Sequence, residues 1–190
     1  MAPDINIKID DDIQLQLIHE RYAESLFHLI DTNRHYLSRW LPWVDLSVNV
    51  DYTRQYIRGS LQRYADDNGF DCVILVGNQV AGQIGLHYID SINQSTSIGY
   101  WMGESFQGIG IMTQSCKAII HYCFYELNLQ LINIKCADEN LRSRAIPERL
   151  HFTLTRQFID REPIRGIEKN YSLYQLTRAQ WDAAHKRSII

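Results

Sequence analysis

Between Ile98 and Thr113 the chain reads Ile-Gly-Tyr-Trp-Met-Gly-Glu-Ser-Phe-Gln-Gly-Ile-Gly-Ile-Met-Thr. A short strand followed by a glycine turn and the start of a long helix is a seat for phosphate. The turn leaves backbone N–H groups unpaired at the positive end of the helix. Glycine lets a ligand approach the main chain where a Cβ would stand in the way. The same run also fits an ordinary strand-to-helix loop. It is not a P-loop, because no Gly-Lys-Ser/Thr follows the glycines. It is not a dinucleotide fingerprint either, because Thr113 stands where the third glycine belongs.

Other chemistry is sparse. The seven histidines show no ligand spacing for a metal, and His19, His28 and His35 read as surface residues. Cys72, Cys116, Cys123 and Cys136 form no Cys-x-x-Cys pair and read as buried free thiols in a reducing compartment. No Gly-x-Ser-x-Gly elbow occurs. Trp40, Trp43 and Tyr88 could line a groove for an acceptor molecule, giving contact area at low entropy cost. The tryptophans equally suit anchoring a helix bend to the core.

These residues need elements to position them. Ile5, Ile7, Ile9 and then Ile13, Leu15, Leu17 alternate with polar residues around Asp10-Asp11-Asp12, a hairpin or broken strand. Helices are expected over about 20–31 and 34–40, the second bending near Pro42. A third, capped by Asp51, carries Tyr52, Tyr56, Ile57, Leu61 and Tyr64 on one side. Strands follow at 70–76 and 80–89, joined by Gly77-Asn78, and at 96–102. A helix over 109–127 sets Ile111, Ser115, Ala118, Ile119, Tyr122, Cys123 and Leu127 inward, and Phe124 and Tyr125 read as packing it. Strand 131–137, helix 141–150 with Asn140 as N-cap, and strands 152–160 and 170–176 complete the order. That order is α/β with a mixed sheet, in one domain spanning 1–190.

Composition agrees. The chain has 190 residues, 45% hydrophobic and 22% charged, with a formal charge of −3. This suits a soluble globular protein and argues against nucleic acid as partner. No signal peptide and no apolar run of roughly 18 residues is present. A cytoplasmic protein that does not enter a membrane is expected.

Taken together, the motifs and the element order resemble the GNAT superfamily of N-acetyltransferases, and within it the ribosomal-protein-serine (RimL-type) acetyltransferases. Gln107-Gly108-Ile109-Gly110-Ile111-Met112 resembles that family's pyrophosphate loop, and Ser97-Ile98-Gly99-Tyr100-Trp101 the strand before it. Cys136-Ala137-Asp138-Glu139-Asn140 through Ser143 to Leu150 resembles the second cofactor motif, centred on Asn-x-x-Ser. Trp40-Leu41-Pro42-Trp43 resembles the same branch near its start. The likeness runs from about residue 8 to Trp181. It departs at His151-Phe152, at Thr155-Arg156 and along Arg161–Ile167, near the expected acceptor site.

The resemblance implies a central mixed, mostly antiparallel sheet flanked by helices, and acetyl-coenzyme A (acetyl-CoA) as cofactor. Met102, Gln107, Gly108, Ile109, Gly110, Ile111, Met112, Thr113, Asn140 and Ser143 would bind it. The pantetheine arm would lie in a slot where the strand ending near Met102 parts from the one beginning at Leu131. The acetyl group would pass to a primary amine, in this branch a protein N-terminus. Glu162 falls where these enzymes carry a catalytic glutamate and would take the amine proton. Ser143 would stabilise the leaving thiolate, since a hydroxyl donates to sulfur. A small-molecule amine (polyamine, amino acid or aminoglycoside) as acceptor, or a sensor that holds acyl-CoA without turnover, are the rival readings. A homodimer is expected from the family alone.

Overall fold

The computed structural model describes residues 5–159 and 166–186. Strands β1 (Asn6–Lys8) and β2 (Ile13–Leu17) form the first hairpin. Asp10 closes its turn, its Oδ1 accepting from the N–H groups of Asp12 at 2.9 Å and Ile13 at 2.7 Å. Helices α1 (Ala23–Thr32) and α2 (Arg34–Leu37) follow, then a 3-10 turn at Pro42–Asp45 and α3 (Val50–Ala65). Strands β3 (Phe70–Val76), β4 (Gln79–Asp90) and β5 (Ser95–Met102) make an antiparallel meander. Gly77, at φ 58°, opens the two-residue turn between the first pair.

Helix α4 (Ile111–His121) runs on as a π-helical turn over Tyr122–Glu126 and crosses to β6 (Leu131–Ala137), which lies parallel to β5. Helix α5 (Leu141–Arg149) and strands β7 (Thr153–Ile159) and β8 (Asn170–Thr177) lead to α6 (Arg178–Lys186). The eight strands form one sheet in the order β1-β2-β3-β4-β5-β6-β8-β7. Among the described residues only the β5–β6 pair is parallel, so the sheet is mixed and mostly antiparallel, as expected.

Each face of the sheet carries its own core, because alternate residues of a strand point to opposite sides. Cys72, Ile74, Ile84, Ile98, Met102, Ile132 and Ile134 pack with α4. Val73, Leu75 and Trp101 pack with α1 and α3. All four cysteines are buried and none is in a disulfide.

Two irregularities shape the site. Strands β5 and β6 pair only over Ser95–Ser97 and Leu131–Asn133. Beyond those residues β5 stays with β4 and β6 with β8, so a gap opens between them. The second is a bulge in β4, where His87 and Tyr88 together lie opposite Ser97. Thr96 pins it, its hydroxyl donating to the Tyr88 carbonyl at 2.6 Å.

The structure corrects four local expectations. The cap of α3 is Asn49, whose side chain accepts from Tyr52 N–H, and Asp51 sits inside the first turn. The buried stripe of that helix is Thr53, Ile57 and Ser60, flanked by the tyrosines. Helix α4 starts at Ile111 rather than Ile109, because Gly110 has φ 89° and cannot be helical. Tyr125 is exposed and bonds Asp182 instead of packing inward. Helix α6 was not foreseen; its buried Trp181 meets Phe124 with ring centroids 6.3 Å apart.

Candidate active site

The glycine turn has the form expected for an anion seat. Gly108 and Gly110 have φ of 83° and 89°, where a side chain is strained. A Cβ at Gly108 would meet no atom within 4 Å, and one at Gly110 only Gln114 Nε2 at 3.9 Å. The space above both is therefore open, and it is the backbone angle and a ligand's approach that favour glycine. No side chain caps α4. Its first turn borders a cavity of about 710 Å³ lined by Gly108, Gly110, Met112, Thr113, Asn140 and Ser143, among others. Met102, Gln107 and Ile111 also line it, whereas Ile109 is exposed and turned away.

Two cations that sequence reasoning missed flank this turn from α5. Arg142 donates to Gln107 Oε1 at 2.7 Å, and Arg149 to Thr113 Oγ1 at 2.9 Å. Their seven-residue spacing on one helix is the signal that could have found them. With an uncapped helix start, open glycines and two guanidinium groups, the residues present fit a pyrophosphate.

Ser143 stands where the gap meets this cavity. Asn140 caps α5 by accepting from Ser143 N–H at 3.2 Å, which fixes the first turn. The Ser143 hydroxyl donates to Tyr100 Oη at 3.3 Å and lies 3.2 Å from Cys136 Sγ. Tyr100 in turn donates to the Ser143 carbonyl at 3.0 Å. Burial pushes the Tyr100 phenol and the Cys136 thiol up, so both stay protonated at neutral pH. Tyr100 and Cys136 were not singled out from sequence, since only strand register brings them to Ser143.

The opposite face of the sheet holds a second cavity, of about 1010 Å³. Trp40, Trp43 and Tyr88 all line it, together with His87, Gly99 and Lys135. The bulge explains how the neighbours His87 and Tyr88 face one cavity. Trp43 meets Trp101 with centroids 5.8 Å apart, and Lys169 and Arg39 each lie over the Trp40 ring, at 5.1 and 5.4 Å. The tryptophans thus pack the wall and line the cavity at once. Arg34 holds their turn, donating to the carbonyls of Val44 at 2.5 Å and Ser47 at 2.6 Å. Both cavities reach Trp40, Tyr100, Asn140 and Ser143, so they meet at the gap. Glu162 lies outside the described residues.

Residues 12–153 match the acetyltransferase (GNAT) domain family. The chain belongs to the GNAT acetyltransferases. Among curated GNAT relatives, YdaF of Bacillus subtilis (strain 168), a candidate ribosomal N-acetyltransferase, is 34% identical over 92% of this chain and 96% of its own. The ribosomal-protein-serine acetyltransferase of Escherichia coli (strain K12) is 28% identical over 78% of this chain and 83% of its own. Among solved structures, the ribosomal L7/L12 α-N-protein acetyltransferase RimL superposes with a TM-score of 0.89 at 27% identity. That match covers 93% of this chain and 99% of RimL, which was solved with coenzyme A as a disulfide to one of its cysteines. The GNAT fold expected from the motifs is therefore the fold observed, and the enzyme is an acyltransferase.

Proposed function

We propose that this GNAT enzyme moves an acetyl group from acetyl-CoA to the amino group of a protein N-terminus. The observation that carries the reading is the meeting of the two cavities at the β5–β6 gap, with Ser143 at the junction. The names of its relatives support a ribosomal protein as acceptor.

Acetyl-CoA supplies the activated acetyl thioester. The N–H groups of 108–113, with Arg142 and Arg149 beside them, would hold its pyrophosphate. The unpaired edges of β5 and β6 offer main-chain partners to the pantetheine amides, as a sheet edge does to a peptide. Asn140 shapes the turn that presents Ser143. As negative charge develops on the leaving sulfur, the Ser143 hydroxyl would turn from Tyr100 to donate a hydrogen bond to it, while Tyr100 keeps its proton and its bond to the Ser143 carbonyl. Burial holds Cys136 as a neutral thiol beside the Ser143 hydroxyl, which disfavours it as a nucleophile. Trp40, Trp43 and Tyr88 line the acceptor's path. Glu162 takes the amine proton, the role implied by the family motif. A protein α-amine has a pKa of about 7.7–8.0, so a base has one proton to remove near neutrality.

A thiol-release assay across peptides with free N-termini and across polyamines, amino acids and aminoglycosides tests this. Turnover on peptides and not on small amines is expected. Turnover confined to small amines, or tight coenzyme A binding with no release on any amine, would replace the reading.

A further inference from the structure

The acceptor cavity contains an imidazole that the reading above does not use. His87 projects from the bulge in β4, and its Nε2–Cε1 edge lies flat on Gly99 of the neighbouring strand. A Cβ at Gly99 would come within 2.3 Å of Nε2 and 2.6 Å of Cε1. Gly99 is therefore what lets the ring lie across the sheet. Gly99 also stands on β5 just past the last residue paired with β6, at the lip of the gap. The Nε2 of the ring thus sits over the strand that borders the gap, in the cavity that reaches Ser143.

We infer that His87 receives the acceptor's amino group, its imidazole Nε2 accepting a hydrogen bond from the amine at the mouth of the gap. This rests on the acetyl-transfer reading and adds the residue that places the nucleophile. It leaves proton removal during attack to Glu162.

The electrostatics of the cavity suit the role. Burial lowers the affinity of His87 for a proton, Arg63 and Lys135 lower it further, and Asp71 acts the other way. The facing groups are Arg63 and Tyr56 from α3, Asp71 from β3, Tyr88 from β4, Lys135 from β6 and Tyr171 from β8. Asp71 is itself engaged, accepting from Ser60 Oγ and an Arg63 guanidinium N–H at 2.6 Å each. The imidazole is accordingly neutral at pH 7, with a lone pair to offer. Below its titration it becomes a cation, which loses the lone pair and repels an ammonium group.

Three variants separate this role from a structural one. His87→Phe removes the acceptor atom. His87→Gln replaces it with a carboxamide oxygen that does not titrate. Gly99→Ala keeps the histidine but displaces the ring, and the obstacle is the end of a movable side chain, so folding is preserved. With a turnover-competent N-terminal peptide, His87→Phe and Gly99→Ala should each raise the peptide KM about 10- to 100-fold, the scale of a hydrogen bond to a charged group. The KM for acetyl-CoA should stay within twofold. His87→Gln should recover most of the loss and abolish the acid limb of 1/KM, which in wild type is expected below the ordinary histidine range because the His87 pKa is lowered. In the coenzyme A complex, the His87 imidazole resonances, assigned by their absence in His87→Gln, should shift on peptide addition. An unchanged peptide KM in a folded His87→Phe, unmoved resonances, or an equal rise in both KM values would overturn the inference. Absence of wild-type turnover on every peptide would instead fail the acetyl-transfer reading.

Discussion

Gly110 combines two demands at one residue: a positive φ and a clear approach from outside. Gly110→Val should cost about 1–2 kcal/mol of stability for the left-handed backbone, a shift of a few degrees in Tm, while calorimetric titration shows a much larger loss of acetyl-CoA affinity. Equal affinity in a folded variant would remove the pyrophosphate assignment. Ser143→Ala should lower kcat more than it weakens cofactor binding, because the hydroxyl matters most as charge grows on sulfur. A loss confined to binding would make Ser143 a ground-state contact. Glu162→Gln should lower turnover at pH 7 by roughly 10²–10⁴-fold, with partial recovery at higher pH where the amine is already neutral. Near-wild-type turnover of that variant at pH 6.5–7 would identify Glu162 as a surface carboxylate. At this scale the sequence was informative where one short segment holds both the residue and its purpose, as in Gly108–Gly110 and Asn140–Ser143. It was silent on Tyr100, Cys136 and His87, whose relations to Ser143 and Gly99 depend on register between strands.

Arg34 shows how one element can support a site it does not enter. From α2 it spans Asp31 and the carbonyls of Val44 and Ser47, and so fixes the turn that carries Trp43. Arg34→Ala would leave two carbonyls without a charged donor, at about 1.5–3 kcal/mol for each such bond at most. We expect a lower Tm and a peptide KM that rises by more than acetyl-CoA affinity falls, because Trp43 lines only the acceptor-side cavity whereas Leu37 and Trp40 also line the cofactor cavity. An equal loss of cofactor affinity would show that the turn and the cofactor cavity are coupled. The elements were legible for β3 to β6, whose runs are rich in apolar residues, and for α5, which is marked by its Asn140 cap. Helix ends were less so: Asn49 and Asp51 are both good caps, and only the backbone geometry chooses between them. Helix α6 was missed because its short polar sequence Arg178–Lys186 shows one large apolar residue, Trp181, which packs on Phe124 of the π-helical turn rather than completing a pattern of its own.

For the molecule as a whole, the α/β order was legible and the two-faced arrangement was not, since no local pattern says that two strands will part after three paired residues. That parting has a kinetic consequence. In the proposed reading the donor and the acceptor enter by different cavities that meet at the gap, so neither would obstruct the other's arrival. Initial rates with both substrates varied should give intersecting lines, the mark of a ternary complex. Parallel lines would mean that the acetyl group waits on the protein between two separate visits. The slot also defines a ruler for inhibitors. A coenzyme A whose sulfur is tethered by a two-carbon acyl bridge to a peptide's terminal nitrogen would lie through it like a thread through a needle's eye. Its second half would bind at an intramolecular effective concentration, so it should bind far more tightly than either half alone. Lengthening the bridge should erode that advantage.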